Sequence, residues 1–234
     1  MALKKPTGDM YDFIDGIWNP VSGKCYHGCT YCYVKRTAKR YGHSQKEPHL
    51  NMSELNKNLG SNQLVFVCSG CDLFADDVPY EYIKAVIDRS LQFKDNKYLL
   101  QTKNPARIVY SSFGLSTEIH KICTTIETNR YIPGIMGNSP HPDLRATAMN
   151  VLANNGFETM VTIEPIMDFD LDKMLERIAI TKATQVNIGA DSDHKQNDLP
   201  EPLEEKVIEL ISELEKFTKV NQKKNLRRIT NAIR

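Results

Sequence analysis

Three cysteines, Cys25, Cys29 and Cys32, lie close together in the stretch CYHGCTYCY. Thiolates gathered on one loop are typical ligands of zinc or of an iron–sulfur cluster. When three cysteines hold a [4Fe–4S] cluster, one iron keeps no protein ligand and is open to another molecule. The C-x3-C-x2-C spacing allows a single loop to wrap such a cluster, and the aromatic Tyr31 can pack over it.

A zinc site is the alternative interpretation of this loop. Structural zinc sites usually pair two C-x-x-C motifs, and within this loop only Cys29 and Cys32 form one. No second motif follows within roughly 12 to 20 residues. The fourth zinc ligand would have to be one of His27, His43, Cys68 and Cys71.

The composition is that of an ordinary globular protein. Of the 234 residues 41% are hydrophobic and 25% are charged, and the net charge of +1 favours neither nucleic acid nor membranes as partners. The first residues, MALKKPTGDMYDF, do not resemble a signal peptide, and no apolar run approaches the roughly 18 residues of a membrane span. We therefore expect a cytoplasmic, reducing location, in which cysteines act as metal ligands, catalytic groups or buried side chains.

Strand-like and helix-like segments alternate regularly after residue 60. The strand-like segments are LVFVC, KYLLQT, KICTTIE, ETMVTIE and TQVNIG, and a sixth lies near residues 17–21. They are apolar through most of their length, which predicts parallel strands covered by helices on both faces. We predict one α/β domain over residues 1–234, a partial (β/α)6 TIM-type barrel with a core at about 15–195 and a helical extension at about 200–234.

In parallel α/β folds, functional side chains collect at the carboxyl ends of the strands. The residues at these positions are Cys68, Ser69, Gly70, Cys71 and Asp72, then Lys103 and Asn104, then Glu127, Thr128 and Asn129, then Glu164, and finally Asn187, Gly189, Asp191 and Asp193.

The cysteine motif, with Tyr31 before Cys32, resembles the signature of the radical S-adenosylmethionine (SAM) superfamily. The segments WNPVSGKCYHGCTYCYV, VFVCSGCDLFADDVP, YLLQTKNPARI, TTIETN, VTIEPIMD and NIGADS resemble, in the same order, those of a phage-associated family of radical-SAM-like proteins. More loosely, the chain is similar to spore photoproduct lyase, through Cys68 or Cys71, Lys103 and the segment 143–145.

This resemblance implies an enzyme with a [4Fe–4S] cluster on Cys25, Cys29 and Cys32 and with SAM on the open iron. In that superfamily, one electron from the cluster cleaves SAM, and the resulting 5′-deoxyadenosyl radical abstracts a hydrogen atom from the substrate. The electron would come from a donor such as a flavodoxin or a ferredoxin. The reaction class, lyase, isomerase or transferase, stays open, and the absence of a further cysteine group near the C-terminus argues against a second cluster.

The turn CSGCD stands where many members of the superfamily bind the amino group of SAM. Ser69, Gly70 and Asp72 are the candidates for this role, and an ordinary turn with Asp72 as a helix cap is the alternative. Cys68 and Cys71 are either packing residues or hydrogen-atom donors to a product radical. We expect Cys71 to point into the core less than Cys68 does.

Lys103 is a candidate to neutralise the carboxylate of SAM, with a solvated lysine as the alternative. Glu127 and Glu164 would bind the ribose diol of SAM or a polar group of the substrate, unless a lysine or an arginine pairs with them structurally. Asn187 and Asp191 are weaker candidates for contacts with ribose, adenine or substrate.

Two basic segments, KRTAKRYGHSQK and KKNLRRITNAIR, are either solvated helix faces or phosphate contacts. Lys35, Arg36, Lys39 and Arg40 follow the cysteine loop and keep a nucleic-acid substrate open. We expect a reaction on a DNA base or nucleotide, in modification, rearrangement or lesion repair, in a phage or bacterial setting. The alternatives are a radical SAM enzyme acting on a peptide or small metabolite, and a non-enzymatic zinc-binding or Fe–S-binding module.

Overall fold

The computed structural model describes residues 3–35 and 46–230. Its strands are β1 (Gly16–Trp18), β2 (Val21–Ser22), β3 (His49–Leu50), β4 (Leu64–Val67), β5 (Lys97–Thr102), β6 (His120–Thr125), β7 (Thr159–Ile163), β8 (Gln185–Ile188) and β9 (Lys219–Gln222). Its helices include α1 (Met52–Leu55), α2 (Tyr80–Leu91), α3 (Ala106–Tyr110), α4 (Pro133–Met136), α5 (Pro142–Asn154), α6 (Leu171–Ile180), α7 (Glu204–Leu214) and a 3-10 helix at Lys224–Arg228.

Seven of the strands form one parallel sheet in the order β1-β4-β5-β6-β7-β8-β9. Within this sheet each strand pairs with the sheet strand that follows it along the chain, as in a (β/α) barrel, and the predicted α/β part-barrel with parallel strands is confirmed. The short strands β2 and β3 pair antiparallel on either side of the segment that contains the cysteines.

The helices cover the sheet with apolar faces that the sequence spacing produces. In α7 the buried residues Val207, Leu210, Ile211 and Leu214 recur at helical spacing and pack in one core cluster with strands β7 and β8. Every residue of β7 is buried, because helices cover one face of the sheet and the barrel interior covers the other. Among the described residues, no helix is both long enough and apolar enough to cross a membrane.

The segment after residue 200 differs from the helical extension that the sequence predicts. It contains α7, but it then adds β9, which pairs in parallel with β8 from Gln185 opposite Lys219 to Ile188 opposite Gln222. The sequence KVNQ is polar and partly exposed, since β9 lies at the edge of the sheet, and its pattern therefore does not predict a buried strand.

The N-terminal segment contacts the first strand of the sheet and the residue after the last one. Its backbone accepts a hydrogen bond at Lys4 from the N–H of Ile17 in β1 (2.8 Å). Further along, the buried ring of Tyr11 lies 4.9 Å from the Nζ of Lys223, which follows β9. The segment thus contacts both edges of the seven-stranded sheet.

Candidate functional site

The cysteine loop follows β1 and presents three free thiols at the carboxyl end of the sheet. Cys29 is buried and lies 3.4 Å from the carbonyl oxygen of Met136, whereas Cys25 and Cys32 are half-buried. Burial, together with the negative charge of Asp72, raises the pKa of Cys25 to about 12. An isolated Cys25 thiol therefore stays protonated at neutral pH, and a bound cation would favour its thiolate.

The short helix α4 and the residues after it hold the cysteine loop in place. Thr30 N–H donates to Ile135 O (3.0 Å), and Asn138 N–H donates to His27 O (2.7 Å). Between these contacts Gly137 has a φ of 61°, and a Cβ at this position would lie only 2.1 Å from His27 O. Only glycine permits this close packing of the two backbones.

The described side chains around the loop do not converge on one point, as the ligands of a single zinc ion would. No three His, Cys, Asp or Glu residues within 3–35 and 46–230 are arranged to hold one metal ion. His27, a candidate fourth ligand, is 2.8 Å from Asp72, and His43 lies outside the described residues. A tetrahedral zinc ion needs its sulfur ligands about 4 Å apart. The thiolates of a [4Fe–4S] cluster bind different irons and do not meet at one point.

Beside the loop, Tyr31, Lys103, Glu127 and Arg145 form a network that we call the cationic cluster. The Nζ of Lys103 and the hydroxyl of Tyr31 both donate to Glu127 Oε1, and Lys103 Nζ also contacts the Tyr31 hydroxyl. Arg145 donates to Glu127 Oε2 at 2.8 Å. The predicted site residues Tyr31 and Lys103, which follow β1 and β5, therefore meet at the buried carboxylate of a third, Glu127, which follows β6.

The cationic cluster carries one surplus positive charge. Glu127 contributes one negative charge, and Lys103 and Arg145 contribute two positive charges. Burial opposes the ionisation of Glu127, but the two cations outweigh it and hold the pKa of the carboxyl well below its usual range. Burial likewise opposes the charge of Lys103, and Glu127 reverses this effect and raises the lysine pKa. The cluster is therefore suited to an anionic ligand.

Arg145 has no site role predicted from the sequence, although it lies in the segment that is similar to spore photoproduct lyase. Its side chain is fully buried, and besides Glu127 it donates to Thr125 O (2.9 Å), Pro140 O (2.6 Å) and Ser139 Oγ (2.8 Å). Arginine is rarely buried without such partners. The helical spacing of α5 indicates its inward position, but no pattern identifies its partner.

Asp72 lies next to the cationic cluster and already has protein partners. Its Oδ2 is 2.8 Å from His27 Nε2 and accepts the Lys103 N–H at 2.8 Å, while Oδ1 accepts the Phe74 N–H at 2.9 Å. Burial raises the pKa of Asp72, but His27 and the Lys103 N–H outweigh it and lower the pKa overall. Asp72 does not cap α2, whose N-cap is Pro79.

Ser69 and Gly70, in the middle of the CSGCD turn, are less buried than the two cysteines beside them. Ser69 donates from its N–H to Asn19 Oδ1 (2.8 Å), and its carbonyl oxygen accepts the Tyr33 hydroxyl (2.5 Å). Gly70 is half-buried, and a Cβ added there would meet nothing within 4 Å. The turn therefore has open space beside the backbone of Gly70.

Cys68 and Cys71 are equally buried, each with 5% of its surface exposed. The turn packs both against the hydrophobic core, and the expectation that Cys71 points into the core less than Cys68 stays a prediction. The Sγ of Cys71 lies 4.0 Å from Lys24 O, beside the cysteine loop. Cys68 has a φ of 59°, a conformation that non-glycine residues rarely adopt.

A second group, Glu164, Lys223 and Asn225, lies at the ends of β7 and β9, and we call it the neutral cluster. Lys223 Nζ donates to Glu164 Oε2, and Asn225 Nδ2 donates to Glu164 Oε1 at 2.8 Å. All three side chains are half-buried. Glu164 was predicted as a site residue, but its partners were not, because the C-terminal segment was assigned to a helical extension.

Asn187 does not reach the strand ends. It is fully buried within β8, where its Oδ1 accepts Gln185 Nε2 (2.8 Å) and Asn221 Nδ2 (3.0 Å). Asp191 is buried in the loop after β8, and its Oδ1 accepts the Asp193 N–H at 2.9 Å.

Other polar residues at the strand ends hold neighbouring loops together. Thr128 Oγ1 donates to Asp168 O (2.7 Å), and Asn129 Nδ2 donates to Asp170 Oδ2 (3.0 Å). The Nδ2 of Asn104 donates to a backbone oxygen and a carboxylate of the segment after the CSGCD turn. We interpret these three residues as structural.

Three of the cations that the two basic segments contribute to the described part of the chain have protein partners. Lys35 Nζ donates to Gly28 O, Lys223 belongs to the neutral cluster, and Arg228 pairs with Glu201. The predicted phosphate contacts Arg36, Lys39 and Arg40 lie outside the described residues.

The structure is similar to solved structures of spore photoproduct lyase. A mutant with bound AdoMet and dinucleoside spore photoproduct superimposes with a TM-score of 0.63 at 11% sequence identity, over 94% of this chain and 80% of that chain. The enzyme complexed with dinucleoside spore photoproduct has a TM-score of 0.62 at 12% identity, over 92% of this chain and 78% of that chain. At this identity the similarity establishes a shared fold.

Sequence comparisons give the family of the chain. The search of curated proteins finds no match. The model of the family described as "Protein of unknown function (DUF5131)" matches residues 10–132, which contain the cysteine loop, the CSGCD turn, Lys103 and Glu127. This match covers more than half of the chain, and the chain therefore belongs to the DUF5131 family.

Proposed function

We propose that this protein is a radical SAM enzyme. The observation that carries the proposal is the loop of three free thiols beside a buried cluster with one surplus positive charge. The fold shared with spore photoproduct lyase, one structure of which contains bound AdoMet, supports it.

Cys25, Cys29 and Cys32 would hold a [4Fe–4S] cluster, with Tyr31 beside it. When bound, this cluster supplies one electron that cleaves SAM into methionine and a 5′-deoxyadenosyl radical, which abstracts hydrogen from the substrate. The protein contributes the position of the reactants and the exclusion of water. The electron donor would be a small redox protein such as a flavodoxin or a ferredoxin.

Lys103 is the residue that we assign to the SAM carboxylate. Arg145 alone balances the charge of Glu127, so that Lys103 is the cation available to a ligand. The buried Glu127 has no surface left for a ribose, and its role is to position Lys103 and Tyr31. This revises the expectation that Glu127 itself binds SAM.

The SAM amino group would bind at the CSGCD turn. Gly70 has open space beside its backbone there, whereas the carboxylate of Asp72 is held by His27 and by the Lys103 N–H. Asp72 would therefore act by holding the turn against β5.

Cys71 is the candidate hydrogen-atom donor that the geometry favours over Cys68. Its sulfur lies beside the backbone of the cysteine loop, at Lys24. Replacing Cys71 with Ala should leave SAM cleavage intact and change the products formed from the substrate.

The substrate that we propose is a base of DNA or of a nucleotide. The support is the similar fold of spore photoproduct lyase, one structure of which is complexed with dinucleoside spore photoproduct. The test is to incubate SAM and a reductant with deuterated candidates, either DNA or peptides and small metabolites. If only deuterated DNA transfers deuterium to 5′-deoxyadenosine, the result supports this proposal. If only a deuterated peptide or metabolite does so, the result contradicts it.

The cluster assignment is tested by anaerobic reconstitution of the chain with iron and sulfide. We expect Cys25→Ala, Cys29→Ala and Cys32→Ala to lose the iron that the wild type binds. Cys123→Ala is the matched control, because Cys123 is buried in a core cluster with Tyr11 and Phe66. Zinc binding in place of iron, or unchanged iron in the three variants, would reject the assignment.

A further inference from the structure

The two clusters at the strand ends have different electrostatic character. The cationic cluster has a surplus positive charge, whereas Glu164 and Lys223 of the neutral cluster balance each other. The proposed function places an anionic group at the first cluster and gives the second no ligand. A balanced, half-buried cluster is suited to a neutral polar group, because a charged ligand there would lose hydration without a partner.

Asn225 leaves one hydrogen-bond acceptor unused in the neutral cluster. Its Nδ2 donates to Glu164 Oε1 and to Ala190 O, both at 2.8 Å, which fixes the orientation of the amide. Its Oδ1 is shielded from solvent and accepts no hydrogen bond from any residue of the described ranges. A buried acceptor without a donor costs free energy, so this oxygen would be stabilised by a donor from beyond the described residues.

Gly189, at the end of β8, makes room for this arrangement. A Cβ at this position would lie 2.7 Å from Glu164 Oε1 and 2.9 Å from Asn225 Oδ1. The two side chains thus lie directly against bare backbone. Lys223 uses one of its three N–H groups on Glu164, and it can also donate to a ligand.

We infer that the neutral cluster binds the hydrogen-bond-donor edge of a nucleobase, with Asn225 Oδ1 accepting from a ring N–H or an exocyclic amino group. Nucleobases are neutral, and they carry such donors beside acceptors that Lys223 can satisfy. The inference rests on the proposed function, which brings two nucleobases to this end of the barrel. One is the adenine of SAM, and the other is the base of the substrate.

The test measures equilibrium binding of probes with blocked donors to the reconstituted wild-type protein. One arm compares SAM with its N6,N6-dimethyladenine analogue. The other arm compares single-stranded oligonucleotides of thymine, cytosine and adenine with their N3-methyl, N4,N4-dimethyl and N6,N6-dimethyl forms. We expect methylation to weaken binding about tenfold in one arm, and the arm that responds identifies the source of the base.

Variants connect this effect to the residue. Asn225→Leu should bind the unmethylated probe of the responding arm about tenfold more weakly and should no longer distinguish it from the methylated probe. Asn154→Leu is the control, because Asn154 is exposed at the end of α5, and it should behave as the wild type. If Asn225→Leu does not fold, the comparison of probes on the wild type decides alone.

Equal binding of methylated and unmethylated probes in both arms would overturn the inference and would leave water as the partner of Asn225. That result does not affect the proposed function, which SAM cleavage tests separately. If the reduced wild-type protein does not cleave SAM, the proposed function fails whatever the oligonucleotides do.

Discussion

At the scale of single residues, the buried carboxylate of Glu127 organises the site. It is fully buried and receives hydrogen bonds from Tyr31, Lys103 and Arg145, which come from a loop, a strand end and a helix. A buried carboxylate with a single cation would leave no cation for a ligand. With two cations, Glu127 stays ionised while one of them is available to an anion.

Replacing Lys103 with Met should weaken SAM binding by about 10- to 100-fold, because a charge-assisted hydrogen bond contributes about 1.5 to 3 kcal/mol. Titration of the reconstituted protein with SAM measures this effect. The matched control is Lys97→Met, since Lys97 lies exposed at the opposite end of the same strand, β5. Equal SAM affinity of Lys103→Met and the wild type would show that Lys103 does not bind the SAM carboxylate.

His120 makes stability depend on pH. It is buried, with Nδ1 accepting the Ser116 N–H at 2.9 Å and Nε2 lying 2.8 Å from Ser90 Oγ. Burial lowers its pKa from 6.5 to about 4, so that only the unfolded state binds the proton between these values. The free energy of unfolding that His120 contributes is complete above pH 6.5 and is lost as the pH falls towards about 4.

Urea denaturation at a series of pH values measures this dependence. His120→Gln, which has no proton to bind in this range, should lose the part of the pH dependence that lies between about 4 and 6.5. The same slope in the variant and in the wild type would show that other groups cause it.

At the scale of elements, the short helix α4 positions the cysteine loop, although it lies after β6 and far from the loop in sequence. The loop bonds to α4 at Thr30 and to the residue after Gly137 at His27. This contact explains how a loop rich in polar residues keeps one geometry before a cofactor binds.

Gly137→Ala should disorder the cysteine loop, because its Cβ would meet His27 O and because its φ of 61° is unfavourable for alanine. We expect less bound iron after reconstitution and a lower melting temperature. Gly134→Ala is the matched control in the same helix, since a Cβ there meets nothing within 4 Å, and both properties should be unchanged. Full iron content in Gly137→Ala would contradict this role of α4.

The sequence predicted those elements and residues whose pattern is local. Buried parallel strands are continuous apolar runs, and β4 to β8 could therefore be predicted from the sequence. Because functional side chains collect at the carboxyl ends of such strands, Lys103, Glu127 and Glu164 could be predicted as well. The edge strand β9 is polar, and its pattern carries no such signal. Arg145 and Asn225 act through partners far away in sequence, and spacing along the chain does not record those contacts.

At the scale of the whole molecule, the two clusters lie in different halves of the part-barrel. The first four sheet strands, with the cysteine loop, carry the cationic cluster, and the last strands carry the neutral cluster. Lys223 links the second half to the N-terminal segment through the ring of Tyr11. Residues near both ends of the described chain are thus in contact beside the neutral cluster, while the association with phage stays a prediction.

The formation of 5′-deoxyadenosine from SAM tests whether the protein is a radical SAM enzyme. The reconstituted, chemically reduced wild-type protein is incubated anaerobically with SAM, and the product is quantified by chromatography and mass spectrometry. We predict 5′-deoxyadenosine from the wild type and none above background from Cys32→Ala. A wild-type protein that binds zinc, or that binds iron and forms no 5′-deoxyadenosine, would contradict the proposed radical SAM activity.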